Sequence, residues 1–114
     1  MPSTFDFGGG VATTSSQTVT IASGVATVAK LTPVILLAGE GSNADTLSTL
    51  TVANIKAGDE TCLACAADET ITVDDANIDL GAGTRDVAGG GSLGLRYDGT
   101  SWVETYFLTA ADNA

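Results

Sequence analysis

The stretch Leu80–Leu108, LGAGTRDVAGGGSLGLRYDGTSWVETYFL, decides how the rest of the chain is read. It holds the only tryptophan, Trp102, both tyrosines, Tyr97 and Tyr106, and one of the three phenylalanines, Phe107. Two apolar-rich runs, Leu93–Tyr97 and Trp102–Leu108, flank Asp98-Gly99. Glycine accepts the positive φ of a tight turn, so this pattern predicts a β-hairpin that closes the core. A loop of two or four residues keeps Leu93, Leu95 and Tyr97 on the Trp102 face, whereas a three-residue loop switches the partner face to Val103. Along Trp102–Leu108, Trp102, Tyr106 and Leu108 are expected on one side, with Val103 and Phe107 on the other. One face fills the core and the second requires another chain. Val103 and Phe107 are therefore the expected subunit-facing pair.

Working outward, short β-type runs recur from Gln17 onward. Strands are expected at Thr18–Ala22, Val25–Ala29, Val34–Leu37, Leu50–Val52, Thr61–Cys65, Thr70–Val73, Asn77–Leu80, Ser92–Tyr97 and Trp102–Leu108. Between them lie Ser23-Gly24, Pro33, the run Gly39–Asn43, Gly58-Asp59, Asp68-Glu69 and Gly89-Gly90-Gly91. Strands spaced roughly 8–12 residues apart with turn signals between them indicate an all-β sandwich or barrel. No window carries a helical stripe; a short turn over Ala44–Ser48, capped by Asn43, is the best helical candidate. Val34-Ile35-Leu36-Leu37 does not alternate, which predicts a strand covered on both sides.

The chain has 114 residues, enough for one modest core, with residues 17–114 read as the domain. Aromatics make up 5% and there are 14 glycines, so little apolar area is available per residue, and association would supplement it. Residues 1–16 are polar and rich in Gly, Ser and Thr. They read either as a mobile tail or as an extended arm whose Phe5 and Phe7, on one face, anchor in a neighbouring subunit.

Charge narrows the partners. The net charge is −10, with four basic residues and no histidine. Such a surface repels phosphate backbones, which argues against nucleic acid. The run MPSTFDFGGG has neither a basic n-region nor an apolar h-region, and Val34–Ala38 is too short to span a bilayer. No membrane contact is expected, and the chain is expected to stay in a cytoplasm unless a larger particle carries it out.

The candidate chemistry is thin. Cys62-Leu63-Ala64-Cys65 sits in a strand-like run that points the sulfurs to opposite faces, and zinc lacks two further ligands, so two buried reduced thiols are expected. Asp75, Asn77 and Asp79, with Asp86 further on, mimic calcium-loop spacing, but Leu80 stands where glycine is needed. On a strand they make a polar outward face, with Ile78 and Leu80 inward. Gly81-Ala82-Gly83 and Gly89-Gly90-Gly91 precede no Lys-Ser/Thr and no helix, and read as turns. Without histidine there is no Ser-His or Cys-His arrangement, which leaves carboxylates such as Glu69, Asp74, Asp75 and Glu104 as acid–base candidates. Neither an enzyme nor a cofactor is expected.

From Val34 to Phe107 the residues resemble a family. The elements are the VILLAGEG strand, the turn Ile55-Lys56-Ala57-Gly58-Asp59-Glu60, an ITV-D strand before N-I-x-L-G, and a closing L-x-L-x-YDG-x-x-W-x-E hairpin. Together they resemble the small β-domains of tailed-bacteriophage virions: head decoration proteins, head fibres, and tail-fibre or tailspike modules. The resemblance implies a homotrimer of β-sandwich or jelly-roll-like subunits and a structural role. A short chain without repeats or a fibrous shaft favours a stand-alone decoration (cement) protein. It would bind the outer head surface, its partners would be its own copies and the major capsid protein, and its arm would lace onto them. The other reading is a receptor- or carbohydrate-binding module of a tail fibre or spike.

Overall fold

The computed structural model describes residues 16–66, 68–81 and 83–109. These residues are all-β, as expected, with no helix among them. In chain order the strands are β1 (Ser16–Thr20), β2 (Val25–Val28), β3 (Val34–Ala38), β4 (Ala44–Leu47), β5 (Thr49–Val52) and β6 (Glu60–Cys65). They continue with β7 (Thr70–Asp74), β8 (Ile78–Asp79), β9 (Thr84–Ala88), β10 (Ser92–Tyr97) and β11 (Trp102–Leu108). All nine expected strands are present. Two are additional, β4 and β9, and β4 replaces the helical turn expected at Ala44–Ser48, because its backbone pairs alongside β7.

The pairing differs from the expected sandwich or jelly roll. Those folds are built from antiparallel strands, whereas five of the eight ladders here are parallel. Ser16 lies beside Val34 and Val34 beside Cys62, Val25 beside Thr49, Ala44 beside Thr70, and Ile78 beside Trp102. This is the winding of a short β-solenoid: each circuit of the chain lays its strands in register on the previous one. Three strips result, ordered β1-β3-β6-β10-β11-β8, β4-β7-β9 and β2-β5. After β8 the winding reverses. β9 runs antiparallel to β7, β10 runs antiparallel to β6, and β11 folds back on β10.

Register explains why so small a set of side chains makes a core. In the long strip Ile35, Leu63 and Leu93 stand side by side; elsewhere Val28 stacks on Val52 and Leu47 on Val73. Each of these is buried. Like-on-like stacking across neighbouring strands lets short aliphatic chains touch without large aromatics. Among the described residues Trp102, fully buried, is the one aromatic ring enclosed in this core.

Two turns follow directly from sequence. Ser23 and Gly24 both have positive φ, 51° and 81°, and Ala22 and Val25 bond to each other across them at 2.9 and 3.0 Å. Positive φ at both central residues is what lets a two-residue connection follow the right-handed twist of the chain on either side. The Asp98-Gly99 hairpin has a four-residue loop, with Tyr97 opposite Trp102 and their rings 5.2 Å apart. The Asp98 carboxylate accepts from the Thr100 and Ser101 backbone N–H groups at 2.8 and 2.7 Å, which holds its pKa below the ordinary value.

Candidate functional site

A β-bulge decides which residues of β11 face outward. Gly94 pairs with Tyr106 but Leu95 pairs with Glu104, so Thr105 is an extra residue on β11. Alternation therefore changes phase at Thr105. Trp102 and Glu104 point inward before it, and Phe107, opposite buried Leu93, points inward after it. Phe107 packs against the core, and Val103 stands opposite exposed Arg96 on the other face. The expected Val103–Phe107 surface is thus split between two faces. Tyr106 and Leu108, expected beside Trp102, take the outer side instead. Phe5 and Phe7 lie outside the described residues.

The outer face of the long strip is the most unusual surface described. One row runs Ser16, Val34, Cys62, Gly94 and Tyr106; the next contains Thr18, Leu36 and Ala64, with Leu108 beyond; Thr20 and Ala38 follow. None of these carries a charge, on a chain with a net charge of −10. The first charged row lies at the rim, where Glu60 pairs with Arg96. Val34 and Leu36 are half-buried rather than covered on both sides as expected, so the apolar character of β3 is directed partly outward. An apolar centre with a polar rim is the anatomy of a contact surface.

Tyr106 shapes this face. Its ring lies over Gly94, where any β-carbon would meet it. The phenol is 43% exposed for the residue as a whole, yet its pKa is pushed up to about 12, first by its hydrogen bond with the Cys62 thiol and then by burial. Beside it a groove of about 570 Å³ is lined by Leu31, Thr32, Asp59, Glu60, Thr61 and Leu95 among others. A second, of about 460 Å³, adjoins through Gly58 and Thr105 and takes in Arg96, Tyr97 and Val103.

Behind the sheet sits an ion pair. Arg85 Nη2 donates to Glu104 Oε2 at 2.9 Å and Arg85 Nε to Glu104 Oε1 at 3.0 Å, while the Gly81 N–H also donates to Oε1 at 3.0 Å. The guanidinium lies 4.9 Å from the centre of the Phe107 ring. The bidentate arginine, foremost, holds the Glu104 carboxyl below its ordinary value of 4.5. A carboxyl depressed by folding stabilises the fold above its unfolded pKa, and the contribution disappears as pH falls through the folded pKa. Glu104→Gln is therefore expected to cost about 1–2 kcal/mol at neutral pH. Thermal melts across pH should show the gap to wild type closing below pH 4.5.

The other candidates do not converge. Glu69 accepts from the Gly39 N–H at 2.8 Å, Glu104 is held by Arg85, and Asp75 is an exposed turn residue. Asp79 is exposed on β8, and Asp86 accepts from Thr72 Oγ1 at 2.8 Å on another strip. Asn77, expected in an outward polar face, turns its amide to the backbone. Leu50 N–H donates to its Oδ1 at 3.0 Å and its Nδ2 donates to the Leu50 carbonyl at 2.7 Å. Ile78 and Leu80 point inward as expected. Among the described residues no three His, Cys, Asp or Glu side chains gather as metal ligands.

The two cysteines are free thiols on opposite faces, as their strand setting implies. Cys65 is buried, its thiol pushed up by desolvation and donating to the Val87 carbonyl at 3.1 Å. Cys62 is half-buried on the outer face rather than fully enclosed. The sequence gives no sign of the bulge at Thr105, and so could not reveal that Tyr106 and Leu108 face outward. Gly94, the one glycine inside β10, is the available hint. No protein-family model matches this sequence, and no curated protein matches it.

Proposed function

We propose that this chain is a non-enzymatic virion structural protein. It serves as a capsid decoration (cement) protein that binds the outer head surface of a tailed bacteriophage as a homotrimer and stabilises the shell. The observation that supports this reading is the uncharged outer face of the long strip, set on a strongly acidic chain. Copies of an acidic protein associate where acids are absent, and burial of Val34, Leu36, Tyr106 and Leu108 against neighbours supplies the adhesion. The acidic remainder faces solvent or a basic capsid patch.

Purified chain added to heads lacking decoration should sediment with them and raise the temperature at which they rupture. Failure to bind at micromolar concentration contradicts the proposal.

A second reading, a receptor- or carbohydrate-binding module of a fibre or spike, draws on exposed Tyr106 at the lip of the groove lined by Asp59 and Glu60. Aromatic platforms with neighbouring carboxylates suit sugars. Glycan-array binding that Tyr106→Ala abolishes while the fold is retained would favour this reading over the first.

A further inference from the structure

We propose that β1 is a docking edge for a second copy of this chain, pairing β1 with β1 antiparallel across a two-fold axis. The inference stands apart from the capsid reading and concerns a different surface from the sheet face described above. In the long strip β1 pairs only with β3, so it forms the strip's first edge among the described residues.

Hydrogen bonding within β1 shows which groups face that edge. Ile21 N–H donates to the Ala38 carbonyl at 2.9 Å, so by alternation Val19 and Gln17 also turn toward β3. The N–H and C=O groups of Thr18 and Thr20 then turn the other way, toward the open side. No hydrogen bond among the described residues uses them there.

Charge blunts the two edges of the β4-β7-β9 strip, as soluble β-proteins require, whereas the β2-β5 strip shares the neutrality of β1. β4 carries Asp45, and β9 carries Arg85 and Asp86. β1 itself carries no such charge. From Ser16 to Ala29 there is no charged residue and no proline.

The occupant follows from this neutrality. A chain of net charge −10 repels its own copies over most of its surface, and this end lets two copies approach without acid meeting acid. The strand also suits itself. Pairing centred on Thr18 sets Thr18 against Thr18 and Ser16 against Thr20, and places Val19, which already packs on the core, next to Gln17 of the second copy. Docking by strand addition needs no side-chain lock, because the main chain supplies the bonds.

Hydrogen–deuterium exchange of the full chain tests this. The Thr18 and Thr20 amides should exchange at least about tenfold more slowly at near-millimolar than at low-micromolar concentration. Thr18→Pro removes an outward N–H and keeps the Gln17 and Val19 bonds to β3. It should abolish this protection and halve the particle mass seen by native mass spectrometry, whatever the number of copies joined elsewhere. Leu36→Glu, which alters only the sheet face, should leave the concentration-dependent protection intact; its loss in that variant would assign the protection to the face and overturn the proposal. Fast exchange at every concentration overturns it, and so does protection independent of concentration, which would mean the chain covers its own edge.

Discussion

Trp102→Ala is expected to lower the unfolding free energy by about 3–5 kcal/mol, the range for removing a fully buried large aromatic. Small domains hold about 5–15 kcal/mol in total, so this one change consumes much of the margin. Trp102 has no exposed surface, packs against the tilted ring of Tyr97, and stands where the reversed hairpin meets the last parallel circuit beside Ile78. Little nearby has the volume to fill the space, because the neighbours are aliphatic and fixed in register. Urea denaturation followed by circular dichroism should show the midpoint falling steeply. Trp102→Phe should cost far less, since it keeps most of the ring and removes an indole N–H that has no hydrogen-bond partner among the described residues. A Trp102→Ala variant within about 1 kcal/mol of wild type would mean the hairpin does not close this core.

The second large effect is expected at Asn77. Its amide does what a strand would do for Leu50, accepting from the N–H and donating to the carbonyl. Its own carbonyl accepts from the Trp102 N–H at 2.9 Å, tying the second circuit to the closing hairpin. Asn77→Ala leaves the Leu50 N–H and C=O without partners, and each such group costs about 1–3 kcal/mol when buried; with partial exposure a total of about 2–3 kcal/mol is expected. Asn77→Asp discriminates further. It can still accept from Leu50 N–H, but it sets a carboxylate oxygen against the Leu50 carbonyl, so it should be destabilised at neutral pH and recover on acidification. Chemical denaturation of the three proteins at pH 7 and near pH 4 checks the sign. If Asn77→Ala were neutral, the amide would be no rung of the solenoid.

Asn77 also shows where the sequence stops being legible. Alternation in Asn77–Leu80 correctly sends Ile78 and Leu80 inward, but periodicity says only which face a residue takes. It does not say that a side chain will turn sideways to bond a backbone one circuit away. The same limit hides the winding itself. A parallel and an antiparallel partner leave the same pattern in a single strand, so the run Val34–Ala38 announces a strand and says nothing of Ser16 or Cys62 beside it. β4 and β9 were illegible for another reason: Asp45, Arg85 and Asp86 break the apolar pattern because these strands lie at the edges of their strip. What sequence did carry well was turn chemistry. Ser23-Gly24 and Asp98-Gly99 sit where positive φ is needed, and both hairpin strands have the bounds their residues suggest.

At the candidate site, apolar residues beyond the needs of one core were visible in Trp102–Leu108, and with them the expectation of a second contact face. The assignment of that face failed at a single residue. The bulge at Thr105 moves Phe107 onto the core and brings Tyr106 and Leu108 outward, onto the face that also carries Leu36 and Cys62.

We propose that copies of this acidic protein assemble through the uncharged outer face of the long strip. Native mass spectrometry of the full chain beside Leu36→Glu tests it most directly. Leu36 is half-buried at the centre of that face, so glutamate there costs the monomer only about 1 kcal/mol while setting three like charges together in a trimer. The wild-type chain should carry a threefold multiple of the monomer mass, and Leu36→Glu should lose that threefold factor with its melting temperature nearly unchanged. A wild-type chain that stays monomeric at micromolar concentration, or a Leu36→Glu variant that assembles as before, would contradict it.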